Sequence, residues 1–424
     1  MFILNDTLTQ RAPIKIWLKD ISEIEEKCLN QARNISNLPF LYKWLNLLPD
    51  CHEGYGMPIG GVLATKDVII PYAVGSDIGC GMIFQGTNIP APLLRETIVH
   101  EGSLLKEIIR CVFQNVPTGF SSHKEPQVSP TLDKYYEKFL CDPNSSVWKL
   151  SQNDDELCEL IDEIENAYYQ IGTLGSGNHF TEVQCDEEDN SAIMIHTGSR
   201  NLGYKICDFF NKKAIELNSK WYSNVPRDYE LAFLPTDDIW GKAYIEFMQL
   251  ALEFAQENRV AILNRVKSIF LNLVKKHTNF TGIELQEEIN AHHNFAALEN
   301  HFGQNVWVHR KGAIRARIDE LGIIPGAMGS FSYIVKGQGN SESFMSCSHG
   351  AGRKMGRKAA CRKFTTEETL NDLKTLGVEL GKSRMEDVAE ETRFAYKNIN
   401  DVIQNELDLI VAIKKLKTMG VIKG

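Results

Sequence analysis

The sequence predicts an α/β protein built as a single large domain. Three observations point there. Short apolar, strand-like pieces alternate with long helical stretches along the chain. Glycine-dense loops lead into several of the strands, and these loops are spread over most of the length. No internal repeat, low-complexity tract or compositional break marks a linker within the 424 residues.

The totals bound the class. A chain with 43% hydrophobic and 24% charged residues has the balance of an ordinary globular protein. No apolar run approaches membrane-spanning length, so no membrane partner is expected. The opening MFILNDTLTQ is too short and too acidic for a signal peptide. The ten cysteines are scattered without a paired framework and read as reduced thiols of a cytoplasmic protein. A net charge of −9 argues against a sequence-independent nucleic-acid coat. Residues 306–317 (VWVHRKGAIRAR) and 353–363 (RKMGRKAACRK) nevertheless hold most of their charge as Arg and Lys. Such strips suggest a polyanion contact, although solvated helix faces look alike.

In chain order, a helix is expected near residues 20–35. The loop PDCHEGYGMPIGGV (49–62) then enters an apolar strand, and VGSDIGCGMIF (74–84) enters another. Glycine at this density means tight turns or close backbone approach to a ligand. Residues 92–114 and 128–171 read as helical, the second with an acidic face. A third glycine loop, IGTLGSGNHF (171–180), precedes an acidic hairpin near Asp186–Asn190, a strand ending at His196, and the turn Thr197-Gly198-Ser199-Arg200. Residues 239–278 carry helical periodicity and are expected as two helices. His292-His293-Asn294 is read at the start of a helical stretch. Strands are expected at 305–309 and 332–336, and an exposed helix at 366–390.

The chemistry-bearing residues sit on the loops. Asp77 and Cys80 are spaced i, i+3 in one tight glycine loop, close enough to share an ion; an N-capping Asp beside a buried Cys gives the same string. His179 and His196 stand at strand ends, where core histidines also occur. Of His292 and His293 only one can face a given site. One carboxylate, one thiolate and several imidazoles together suit Mn²⁺, Fe²⁺ or Zn²⁺. In SCSHGAGRKMGR (346–357), His349 precedes a small-residue turn and then a helical-looking segment with Arg353 and Arg357 one turn apart. Free backbone N–H groups there can cradle a phosphate, and the histidine can act as nucleophile or ligand. A glycine turn before a basic surface helix reads the same way.

Taken together, PDCHEGYGMPIGG, VGSDIGCGM, GTLGSGNHF, HTGSRNLG, AHHNF, VHRKGAIRA, PGAMGSFSYIV, CSHGAGR and GVIKG resemble, in order, the motifs of the RtcB tRNA-splicing ligases across residues 49–424. The resemblance implies one α/β domain with a central mixed sheet and a deep metal-containing cleft. It implies a GTP- and Mn²⁺-dependent RNA ligase joining a 2′,3′-cyclic phosphate or 3′-phosphate end to a 5′-hydroxyl end. By motif position, Asp77, Cys80, His179, His196 and His293 match ligands of two Mn²⁺ ions, with Cys80 bridging, and His349 matches the histidine that becomes guanylylated. His293 is chosen over His292 because it directly precedes Asn294. Nucleotide contacts fall on Asn178, His179, Phe180, Thr181, Glu182, His293, Asn294, Pro325, Gly326, Ala327, Met328, Ser332, His349, Gly350, Ala351 and Gly352, with Lys423 reading guanine. Arg200, Arg353 and Arg357 match RNA-phosphate contacts. The short 120–155 region resembles the compact bacterial type, for which an archease partner is possible but not required. Ala327 and Ile314 depart from the small or hydroxyl-bearing residues usual in the family.

Overall fold

A computed structural model describes residues 1–382 and 385–424. Its N-terminal strands are β1 (Phe2–Leu4), β2 (Ile14–Ile16), β3 (Leu41–His52), β4 (Ile59–Thr65) and β5 (Gly81–Pro90). The middle of the chain supplies β6 (Phe180–Cys185), β7 (Asn190–Thr197), β8 (Leu285–His292), β9 (Asn294–His301) and β10 (Gln304–Lys311). The remainder supplies β11 (Ala313–Arg315), β12 (Leu321–Ile324), β13 (Phe331–Gly337), β14 (Ser346–Ser348), β15 (Glu379–Gly381) and β16 (Ile410–Lys423).

All of these but β11 and β14, which pair antiparallel with each other, build two mixed sheets, the α/β class predicted above. The six-stranded sheet runs β1-β2-β3-β4-β10-β9. The eight-stranded sheet runs β8-β5-β7-β6-β16-β13-β12, with β15 added parallel to β16. Its end strands β8 and β12 approach each other, so it curls nearly into a barrel. Both faces are covered, and so β7 reads as the continuous apolar run Ala192–Ile195 rather than an alternation. Ile193 and Ile195 pack on Ile262, Val266 and Phe270 of a long helix, while Met194 packs with Met82 and Phe84 on the other face. Burial of such side chains stabilises the fold by about 1.5–3 kcal/mol each.

Several elements differ from expectation. Residues Ile239–His277 form one helix, not two. No Gly or Pro interrupts 242–277, and the polar pair Asn258-Arg259 in mid-helix is buried but fully hydrogen-bonded to neighbouring loops. His293 does not open a helix. It is the junction at which the chain leaves β8 in one sheet and enters β9 in the other. The helix after His349 begins only at Arg357, and Arg353 lies in an extended bridge to Tyr396. The expected helix at 366–390 stops at Leu376, where Gly377 takes the left-handed cap, and β15 follows; part of that range, 383–384, lies outside the described residues. Only the end of the 306–317 strip reaches the surface, where Arg317 is exposed and Arg315 pairs with Glu320. Arg310 is fully buried on Glu299, and Lys311 is buried with its ammonium on the carbonyls of Tyr55 and Tyr72. The helix near 20–35 is present as Glu26–Ser36.

Candidate active site and metal centre

The Asp77 loop, the ends of β6 and β7, and the β8–β9 junction meet at one buried point. Cys80 Sγ lies 3.4 Å from His179 Nε2 and 3.3 Å from His196 Nε2. His196 Nε2 lies 3.3 Å from His293 Nε2, and His179 Nε2 lies 3.0 Å from Asp77 Oδ2. The other ring nitrogens fix the tautomers. His179 Nδ1 donates to the Leu174 carbonyl and His196 Nδ1 to that of Asn178, so both Nε2 atoms present lone pairs inward. Acceptor therefore faces acceptor, and the Cys80 thiol alone cannot supply a proton to every contact. His293 Nδ1 is also buried without a hydrogen-bond partner among the described residues. A cation satisfies such a set. Cys80, His179 and His196 form a group able to hold a metal ion, and Asp77 and His293 adjoin it.

The electrostatics suit that reading. Burial, and then the charge of Asp77, push the Cys80 thiol well above its usual range, so it stays protonated until a cation is bound. Burial also drives His196 and His293 well below the ordinary imidazole range and keeps them neutral, as ligands must be.

Backbone access comes from small residues and from the long helix. A Cβ on Gly198 would fall on the Asp77 carboxylate, so the loop after β7 closes only with glycine. Ser199 N donates to Asp77 Oδ1 at 3.1 Å. Asn258 accepts from the amides of Gly172 and Thr173 and donates to the Gly198 carbonyl. Arg259 donates to the carbonyls of Gly79 and Thr197. Three ligand-bearing loops thus hang from one helical turn.

His349 follows β14 and stands beside this centre, its ring centroid 4.8 Å from that of His293. Its Nδ1 donates to Asp50 Oδ2 at 2.6 Å, and its backbone amide donates to the same carboxylate. Burial raises Asp50, but the hydrogen bonds from the ring and amide of His349, together with the nearby Lys397 ammonium, keep the carboxyl ionised. Gly352 has φ +71°, and a Cβ there would strike the Asp50 carbonyl, which is why the turn after His349 needs glycine. Ala351 N donates to the Pro325 carbonyl and ties this turn to the Pro325–Met328 loop.

Lys423, at the end of β16, is buried beside β6. Its ammonium lies 2.8 Å from Glu391 Oε2 and 5.9 Å from the centre of the Phe180 ring. Tyr396 donates to the same oxygen, while Arg353 and Arg357 approach Glu391 Oε1 at 3.3 and 3.4 Å. Burial raises Glu391, but Lys423, Arg353 and Arg357 outweigh it and hold it at about 2. Arg353 spends its remaining donors on the carbonyls of Met355 and Glu390; Arg357 reaches the Gly177 backbone beside Asn178. Glu182 lies in the same wall, raised to about 7 by burial, and accepts from Gln184 and Thr418. The Thr181 hydroxyl there is buried without a partner, and Ser332 accepts from Gly326 N. Asn294 is engaged on both sides, with the Asp77 carbonyl and Gly312 N. Arg200 donates to Thr173 and to the Gly119 carbonyl. Phe180, Ala327 and Met328 are buried, and Asn178 is exposed.

The sequence alone did not point to Asp50, Asn258, Arg259 and Glu391. Asn258 and Arg259 carried a signal, being polar where the helical period demands apolar side chains. The others act through partners far away in sequence.

A mixed α/β scaffold carrying a buried carboxylate–thiolate–imidazole centre, with a tautomer-fixed histidine at its edge, has the build of a metal-dependent enzyme. Comparison with known proteins narrows this. The family described as tRNA-splicing ligase RtcB matches residues 31–424. The RNA-splicing ligase RtcB of Escherichia coli (strain K12) is 35% identical, over 98% of both chains. The tRNA-splicing ligase RtcB of Thermococcus kodakarensis is 33% identical, over 98% of this chain and 95% of its own. RNA-splicing ligase RtcB homolog 1 of Entamoeba dispar is 32% identical, over 96% and 84%. The chain belongs to the RtcB family.

Proposed function

We propose that this protein is an RNA ligase that seals a 2′,3′-cyclic phosphate or 3′-phosphate end to a 5′-hydroxyl end, using GTP and manganese, in the cytoplasm. One observation carries the reading: Asp50 takes the Nδ1 proton of His349 into a hydrogen bond and leaves the Nε2 lone pair free, on a ring whose centre is 4.8 Å from that of His293. An imidazole so fixed is a nucleophile awaiting an electrophile.

In this reading His349 Nε2 attacks the α-phosphorus of GTP. An N–P bond forms, the bond from the α-phosphorus to the bridging oxygen breaks, and pyrophosphate leaves with that electron pair. Asp50 stabilises the imidazolium character that develops. An oxygen of the RNA 3′-phosphate then attacks the same phosphorus and His349 departs. Finally the 5′-hydroxyl oxygen attacks the 3′-phosphate, loses its proton and expels GMP. A cyclic end is first opened by water. Two manganese ions, held by Asp77, Cys80, His179, His196 and His293, would neutralise charge on the phosphoryl oxygens. Lys423 offers only donors, which suits the guanine acceptors O6 and N7 and disfavours the adenine amino group. Phe180, Glu182 and Ser332 line that base site, and the turn Gly350–Gly352 with Pro325–Met328 takes the phosphates. Arg200 and Arg357 face RNA phosphates; Arg353 supports Arg357 through their shared partner Glu391. An archease partner is compatible with this reading but not required by it.

Incubation with α-labelled GTP and Mn²⁺, followed by a denaturing gel, tests the proposal. Label is expected on the protein, and unlabelled RNA with matching ends should then be joined. A phosphatase, or a protein that only binds RNA ends, would leave the protein unlabelled.

A further inference from the structure

Residues 117–127 link the helix Leu104–Asn115 to the helix Pro130–Cys141. Their backbone is held at both ends. Leu174 N donates to the Pro117 carbonyl, Gly119 N to that of Gly175, and His123 N to that of Tyr169. At the tip stands Phe120, 98% exposed. A lone exposed apolar side chain is ordinary on a protein surface. Its company here is not. Beside the loop lies a shallow cavity of about 560 Å³, lined by Asn115, His123, Ala261, Arg265, Ser268 and Ile269. Arg265 meets only uncharged partners, the Asn115 carbonyl at 3.3 Å and the His123 ring at 3.4 Å. Among the described residues no carboxylate pairs with it. Its charge is left to the cavity.

One loop, residues 172–175, backs both this cavity and the metal centre. A Cβ built on Gly172 would lie 3.5 Å from His123 Nε2 and 3.8 Å from Arg265 Nη1. One on Gly175 would lie 2.7 Å from His179 Nδ1 and would strike Arg200. The chain between those two glycines spans at most about 11 Å. Arg200 itself donates to Gly119, the residue before Phe120. The loop that carries Phe120 thus touches Arg200 through Gly119 on one side and Arg265 through His123 on the other.

We propose that Phe120 and Arg265 form a subsite for the single-stranded RNA that trails from the reacting end. Phe120 stacks on an unpaired base, and Arg265 takes a backbone phosphate. An open aromatic ring on the same loop as the histidine that an unpaired guanidinium touches offers the stacking and charge that single strands recognise, and it reads no particular sequence. This inference rests on the RNA-ligase reading above.

The test uses the full chain with 5′-labelled single-stranded RNA bearing a 3′-phosphate, followed by fluorescence anisotropy against salt. A trinucleotide is compared with a strand of about ten nucleotides. Wild type should bind the longer strand more tightly. Phe120→Ala should weaken that binding by about fivefold or more, and Phe120→Trp should restore it. Arg265→Gln should flatten the log–log salt slope by about 0.7. Label transfer from GTP, which involves no RNA, is measured on the same preparations as the check on folding. If wild type takes label but gains nothing from the longer strand, or if neither alanine nor glutamine changes its affinity, the subsite is overturned alone. If wild type neither takes label nor binds RNA, the ligase reading falls and the subsite with it.

Discussion

Asp50 and Glu406 flank the Ser348–His349 turn, and their surroundings treat the two carboxyls oppositely. Asp50 stays charged against His349. Glu406 accepts from Ser348 N, and burial first, then the nearby charge of Asp50, push it up to about 8. A raised carboxyl contributes stability that is fully present below its unfolded value near 4.5 and is lost as pH rises to about 8. Glu406→Gln keeps the acceptor and cannot ionise. Its denaturation free energy should therefore fall less than wild type's between pH 5 and pH 8, by a margin on the order of 3 kcal/mol. Parallel urea curves at the two pH values measure this; equal slopes would mean that Glu406 is ionised in the fold. His349→Ala should abolish the protein–GMP adduct and leave Mn²⁺ binding largely intact, as a labelling gel and a calorimetric titration would report. At this scale the sequence was informative where chemistry is local. His349 was visible from the glycine turn behind it, and Asp77 and Cys80 from their shared loop. Asp50 was invisible in its role because its partner lies 299 residues away.

Among the elements, the helix Ile239–His277 does the most for the site, because one turn of it holds three loops. Asn258→Ala would strip the amides of Gly172 and Thr173 of their acceptor and the Gly198 carbonyl of its donor. A stability loss of about 2–4 kcal/mol is expected, since buried groups left unpaired cost about 1–3 kcal/mol each. Mn²⁺ affinity should drop by about tenfold, because the Asp77 carboxylate and the His179 ring both rest on those loops. Thermal melts and metal titration measure the pair of effects. Lost stability with unchanged metal affinity would make Asn258 a packing residue only. Periodicity revealed the helix, but its continuity through a polar pair depends on partners that only the tertiary structure brings. The β8–β9 junction was harder still: a strand pair split between two sheets leaves no local mark on the sequence AHHNF.

Over the whole molecule, the proposed metal joins the Asp77 loop, β6, β7 and the β8–β9 junction, and so should hold the two sheets together. A ligand that binds only the folded chain stabilises it by about 2.7 kcal/mol at a hundredfold excess over its dissociation constant. Mn²⁺ should therefore raise the melting temperature in proportion to the logarithm of its concentration, chelator should reverse the rise, and Cys80→Ser should blunt it. A melting temperature indifferent to Mn²⁺ would count against these five residues as ligands. The glycine strings marked the loops that the fold brings together around Cys80, His179 and His196, while strand order stayed hidden, since pairing between distant strands has no local signature. β16 shows what that order entails. It pairs with β6 in the interior of its sheet, Lys417 opposite Cys185 and Lys423 opposite Phe180. A ribosome adding about 5–20 residues per second needs roughly ten to forty seconds to travel from the end of β6 to the start of β16. Throughout that interval β6 has one bare edge, an open template for misassembly with neighbouring nascent chains. Folding of this protein should thus be a late and global event, slow to begin and dependent on shelter for that edge. No half-synthesised chain can carry a finished cleft, because the wall that Lys423 completes does not exist until the centre of the sheet is filled.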